Sequence, residues 1–272
     1  MGAVRGIGVF TNRVKQQLQR GEPAVGHWIS FPSPAVVELM ATAGMDWLLI
    51  DTEHGATDWE TVEDMIRALK STEVVPLVRV GANDPALFKR ALDRGALGTI
   101  TPMVSTPEQA KAAVAANKYP PVGIRGVAGS RVNRYGVDLP QYVAEWNDQV
   151  LVILQIETVD ALKNIDAIAA VPGVDVLFIG PNDLSAGLGF FRQFDRPEYV
   201  SAVTKILQAT RTHGKIPGIM TGGADETLDR IDQGFRFVAV GSDTRLLAGA
   251  AGAAYEKIRA GLADRKRTTA GR

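Results

Sequence analysis

Val150-Leu151-Val152-Ile153-Leu154-Gln155-Ile156-Glu157, then Thr158–Ala170, then Val174-Asp175-Val176-Leu177-Phe178-Ile179-Gly180-Pro181-Asn182-Asp183, is the stretch that decides the architecture. Two short apolar runs flank a segment of helical pattern. Runs that short, rich in Val and Ile and stopped by Gly or Pro, read as strands buried on both faces. Strand, helix and strand in succession make a right-handed crossover between parallel neighbours. One parity of the first run reads Leu151, Ile153, Gln155, Glu157, apolar at its base and polar at its C-terminal tip.

The same rhythm continues in both directions. Upstream, strands are expected at Val25–Phe31, Trp47–Asp51, Val74–Val80 and Leu97–Thr101. Their helices open at Ser33-Pro34, at Thr57 or Asp58, at Asp84-Pro85 and at Thr106-Pro107, because these side chains cap free N–H groups and Pro suits a first turn. Downstream, a helix over Tyr199–Thr212 leads to a strand at Lys215–Met220, a helix at Asp225–Gln233, a strand at Arg236–Val240 and a last helix over Asp243–Leu262. Eight such units favour a closed (β/α)8 barrel, the TIM-barrel fold, with an open doubly wound sheet as the alternative. No linker divides the chain, so residues 1–262 read as one domain and 263–272 as a polar, disordered end. Tyr119–Gln149 breaks the rhythm. It is either functional or a surface excursion with a short helix near Leu139–Trp146.

Composition narrows the chemistry. The 272 residues carry thirty basic and thirty acidic side chains, so no charge field invites nucleic acid. The absence of cysteine excludes thiolate ligands and a Cys nucleophile, and it suits a cytoplasmic protein. Met1–Phe10 is too short for a signal peptide, and no apolar run approaches the roughly 18 residues of a membrane span. Helical placement of most lysines, with Lys215 at the wrong end of its strand, argues against an imine mechanism.

In a parallel barrel, chemistry sits at the C-terminal strand ends. Glu157 there is a ligand or a paired structural charge. Asp183, after the Gly180-Pro181 turn, is a partner for Glu157 or a turn cap. If they face each other, two carboxylates need a proton or a cation between them, and hard oxygens favour Mg²⁺ or Mn²⁺. Arg79 ends a strand that alternates Val75, Leu77, Arg79. A buried guanidinium needs an anion, either a structural carboxylate or a substrate carboxylate or enolate. Asp51-Thr52-Glu53-His54-Gly55 places three titratable groups at one tip, where His54 suits a general base. His27 lies mid-strand and is expected either to point into the barrel near the site or to be a packed core residue. His213 ends a helix and is given no function.

At these residues the chain resembles the HpcH/HpaI aldolases, the metal-dependent class II pyruvate aldolases, over about Val25–Ala260. The resemblance rests on Asp51–Gly55, Gln155–Thr158 and Phe178–Leu184. Pro121–Val127 and Phe237–Asp243 add to it. It implies that Glu157 and Asp183 bind a divalent metal (Mg²⁺ or Mn²⁺, with Co²⁺ as another candidate). It implies that His54 is the base with Asp51 as its dyad partner, that Arg79 steadies the enolate oxygen, and that Gln155, Asn182 and Asp183 contact the keto acid. It implies reversible cleavage of a 4-hydroxy-2-oxo acid to pyruvate and an aldehyde, in a hexamer built as a trimer of dimers that exchange the last helix. An acyl-CoA lyase of the malyl- or citramalyl-CoA type and a non-catalytic keto-acid-binding barrel are the alternatives.

Overall fold

The computed structural model describes residues 11–270. Met1–Phe10, read above as too short for a signal peptide, lie outside the described residues. In chain order the elements are α1 (Arg13–Gln19), β1 (Ala24–Ile29), α2 (Pro34–Ala41), β2 (Trp47–Asp51), α3 (Trp59–Ala68), β3 (Val75–Arg79), α4 (Pro85–Arg94), β4 (Gly98–Thr101) and α5 (Pro107–Asn117). There follow α6 (Leu139–Gln149), β5 (Leu151–Ile156), α7 (Val159–Lys163), α8 (Ile165–Ala169), β6 (Val176–Ile179), α9 (Pro181–Gly187) and α10 (Pro197–Thr212). The chain ends with β7 (Ile216–Thr221), α11 (Ala224–Asp232), β8 (Phe237–Ser242) and α12 (Asp243–Ala270). All neighbouring strands pair in parallel, and β1 pairs with β8, so the sheet closes into a barrel in sequential order. This is the (β/α)8 barrel.

Strand alternation sorts the apolar side chains into two cores. Trp28, Trp47, Leu77, Ile153, Phe178 and Phe237 are among those filling the barrel axis, where the rings of Trp47 and Phe237 stack at 4.3 Å. The opposite parity, including Leu48, Ile50, Val78 and Leu154, packs against the helices. The expected caps form: Ser33, Asp58, Asp84, Thr106 and Thr158 each accept a backbone N–H in the first turn of their helix.

Two expectations change, and two features come into view. Thr158–Ala170 is two short helices, α7 and α8, meeting at Asn164, whose side chain donates to the carbonyl of Ser105 at 2.9 Å. The polar end read as disordered is helical as far as Ala270, since no Pro interrupts a run of helix-forming residues after Leu262. The helix α1, absent from the pattern reading, closes the N-terminal end of the barrel. Finally, Tyr119–Gln149 is ordered around Arg125, whose side chain lies fully buried between the rings of Tyr119 and Trp146 and pairs with Asp93 at 2.7 Å. Its helix spans Leu139–Gln149, slightly longer than expected.

Beyond its first turn α12 stands clear of the barrel. Its residues from Arg245 to Ala263 are exposed, including Leu247, Tyr255, Ile258 and Leu262. No helix among the described residues is long and apolar enough to cross a membrane.

Candidate active site

The C-terminal strand ends bring together the residues singled out by parity. Asp51 and Arg79 are register partners on β2 and β3 and both face the axis. The Arg79 guanidinium donates from Nε to Asp51 Oδ1 at 2.9 Å and from Nη2 to Asp51 Oδ2 at 2.6 Å. Its third nitrogen, Nη1, lies 2.8 Å from Glu53 Oε2. From below, the ring of Trp28 faces its Cζ at 5.2 Å. This fork geometry fixes the plane of the guanidinium.

Two strands away in sequence, Gln155 lies near the end of β5 and Glu157 directly follows it. Glu157 is buried, and its Oε1 accepts from the amide of Met103 at 2.9 Å while Oε2 accepts from Gln155 Nε2 at 2.5 Å. Met103 presents that amide from a left-handed backbone, with φ of 56°. The neighbouring β6 tip must come close, and Gly180 allows it. A Cβ there would fall 2.3 Å from Glu157 Oε2 and 2.9 Å from Gln155 Nε2. The turn then delivers Asn182 and Asp183 in the first turn of α9, both exposed to the mouth.

Electrostatics set this end apart. Burial pushes the Glu157 carboxyl up to about 7, and the nearby charges of Asp183 and Glu53 push the same way, against the two hydrogen bonds. Burial also raises Glu53, and its pairing with Arg79 only partly offsets this. Asp51 and Glu53 thus share one guanidinium, while Glu157 and Asp183 have no such cation beside them among the described residues. Gln155 Oε1 is buried without a hydrogen-bond partner. Among the described residues, no group of three or more His, Asp or Glu side chains forms a metal cage. A pair of carboxylates beside an unpartnered amide oxygen does fit a hard divalent cation that keeps water or substrate in its other positions.

Three sequence expectations are narrowed. His54 follows β2 and is exposed, as a base at the mouth requires. The Asp51 carboxylate, however, is committed to Arg79. Its contact with residue 54 is to the backbone amide, at 3.3 Å, and it also accepts the Glu53 amide at 3.0 Å. His27 does not point into the barrel. Ala24 and Trp28 on either side of it face the axis, so His27 faces the outer layer, half-buried, with burial lowering its pKa against the opposing pull of Asp243. His213 caps α10 with Nε2 3.7 Å from Asp166 Oδ1, as a structural residue.

Sequence reasoning gave no role to Trp28 under Arg79, to the Met103 amide or to the bond between Glu53 and Arg79. Parity along β1 carries the signal for Trp28. A backbone donor such as Met103 leaves no trace in side-chain pattern.

The profile of the HpcH/HpaI aldolase/citrate lyase family matches residues 24–250. A 4-hydroxy-2-oxo-heptane-1,7-dioate aldolase of Escherichia coli is 41% identical over 242 residues, 88% of this chain and 92% of that relative. A 5-keto-4-deoxy-D-glucarate aldolase of Salmonella paratyphi C is 39% identical over 236 residues, 86% of this chain and 92% of the relative. The crystal structure of an HpcH/HpaI aldolase/citrate lyase family protein from Burkholderia cenocepacia J2315 superposes with a TM-score of 0.88 at 37% identity, covering 92% of this chain and all of the other. The chain belongs to the HpcH/HpaI aldolase/citrate lyase family and is a carbon–carbon lyase.

Proposed function

We propose that this lyase cleaves 4-hydroxy-2-oxo acids to pyruvate and an aldehyde, and runs the reverse addition. The observation that carries the reading is the contrast among the C-terminal strand ends: a guanidinium locked in plane by Asp51 on one side, and on the other a buried carboxylate, Glu157, raised by its burial and by the charge of Asp183. Glu157 and Asp183 are the residues that would hold a divalent cation (Mg²⁺, Mn²⁺ or Co²⁺). When bound, such an ion supplies Lewis acidity next to a ketone.

The chain's own groups do the rest. Gln155 and Asn182 orient the keto acid, with the amide of Gln155 already anchored on Glu157. His54 takes the proton of the C4 hydroxyl. The C3–C4 bond then breaks, an aldehyde forms, and the electron pair moves into the pyruvate half as an enolate. Arg79, preorganised by Asp51, faces the oxygen on which that negative charge grows. His54 returns the proton to the methylene, giving pyruvate. Asp51 serves this sequence through Arg79 and through the backbone of the His54 turn.

We also propose that α12 docks on a second copy of the chain, within a hexamer built as a trimer of dimers. Leu247, Ala251, Tyr255, Ile258 and Leu262 lie at helical spacing, and all are exposed in the single chain. The cysteine-free composition suits work in the cytoplasm.

The test is pyruvate release from a 4-hydroxy-2-oxo acid. EDTA abolishes it, and Mn²⁺, Co²⁺ or Mg²⁺ restores it. Full activity in chelator contradicts the assignment of Glu157 and Asp183. Release only from a malyl- or citramalyl-CoA thioester points to an acyl-CoA lyase instead.

A further inference from the structure

Glu53 lies outside the roles proposed above. It is a carboxylate in the mouth with no part in the steps above, yet it is not solvated scenery. Its side chain is only 19% exposed, and Oε2 lies 2.8 Å from Arg79 Nη1. Asp51 occupies the other edge of the same guanidinium through Nε and Nη2. The Trp28 ring closes one face. Without Glu53 the fork would still be hinged on Asp51, but its Nη1 arm would have no protein partner.

The placement of Glu53 also differs from that of Asp51. Asp51 is the last residue of β2 and belongs to the sheet. Glu53 is in the turn beyond it, with its amide tied back to Asp51 Oδ1. Its charge is felt by Glu157, and that of Asp183 is felt by Glu53. Glu53 thus pairs with the guanidinium and also interacts electrostatically with both members of the acidic pair.

We propose that Glu53 is a positioning residue for the lyase reaction: it fixes the Nη1 arm of Arg79 against the side where Glu157 and Asp183 sit, so that Arg79 faces the enolate rather than swinging towards those carboxylates. The inference rests on the proposed reading of the site. It commits Glu53 to acting through Arg79 and not as a ligand or base. A close, partly buried ion pair of this kind carries about 10- to 100-fold in an equilibrium or a rate.

The test is a double-mutant cycle with Glu53→Ala, Glu53→Gln, Arg79→Ala and the double variant, on correctly folded protein checked by thermal melting. Two readouts are used: kcat and KM for aldol cleavage, and calorimetric affinity for oxalate, a planar dianion that mimics the enolate, in the presence of Mn²⁺. Expected is a drop in kcat of about 10- to 100-fold for Glu53→Ala with a much smaller change in KM, and a similar loss of oxalate affinity. Glu53→Gln, which keeps the reach of the side chain but not its charge, recovers only part of both. In the Arg79→Ala background Glu53→Ala costs nothing further.

Full additivity of the two substitutions overturns the proposal, as does wild-type behaviour of Glu53→Ala. Loss of Mn²⁺ affinity in Glu53→Ala equal to that in Glu157→Ala also overturns it, by making Glu53 a ligand. If the wild-type protein cleaves no 4-hydroxy-2-oxo acid, the aldolase reading fails, while the oxalate cycle still decides whether Glu53 acts through Arg79.

Discussion

The two ends of the barrel bury charge in opposite ways. At the N-terminal end the buried side chains of Asn12 and Lys15 both find partners. Asn12 donates to the carbonyls of Leu97 and Gln149, each at 2.9 Å, and its amide meets Gln149 Oε1 at 2.8 Å. Lys15 reaches the carbonyl of Val150 at 2.7 Å and both oxygens of Asp175, at 3.2 and 3.3 Å. At the C-terminal end Asp51 and Glu53 take up the one arginine, Glu157 feels the charges of Glu53 and Asp183, and Gln155 Oε1 is left without a partner. Buried groups that satisfy one another hold a scaffold; groups left in surplus wait for something to bind.

If that contrast is right, substitutions at the two ends fail differently. Lys15→Ala removes a cation from partly buried Asp175 and the donor to the Val150 carbonyl, and is expected to cost about 2 kcal/mol of stability in chemical denaturation, while kcat of the folded fraction stays at the wild-type value. A Lys15→Ala protein that is fully stable, or stable but inactive, would break the comparison.

A smaller effect sharpens it at the other end. The Glu157 carboxyl, raised from 4.5 to about 7 chiefly by burial, holds its proton to higher pH in the folded than in the unfolded chain. Between those values the folded state binds more protons, so this group's contribution to stability falls as pH rises through the window. In EDTA, the melting temperature of Glu157→Gln should lack that downward slope and exceed that of the wild type near neutrality. Parallel pH profiles for the two proteins would mean that Glu157 is not held under strain.

The strand tips made the barrel legible. Leu151, Ile153, Gln155 and Glu157, and likewise Val75, Leu77 and Arg79, show the switch from core to mouth along one parity, and the axis-facing core follows it. Local sequence also gave the helix starts, because a cap is a short-range hydrogen bond. What it hid was long-range. Arg79 finds its two carboxylates across a strand pair and a turn, and Glu157 takes a backbone amide from another loop. The role of α1 as the floor of the barrel depends on partners as distant as Gln149 and Asp175. His27 was legible in principle, since the axis-facing parity of Trp28 turns its neighbour outward. The exposure of α12 belongs to tertiary packing and has no counterpart in its helical pattern.

The most direct measurement is Mn²⁺ binding followed by electron paramagnetic resonance on the wild type, Glu157→Gln and Asp183→Asn. The account predicts a single tight ion per chain, lost in both variants while each remains folded. Undiminished binding in the two variants, or none in the wild type, would contradict it.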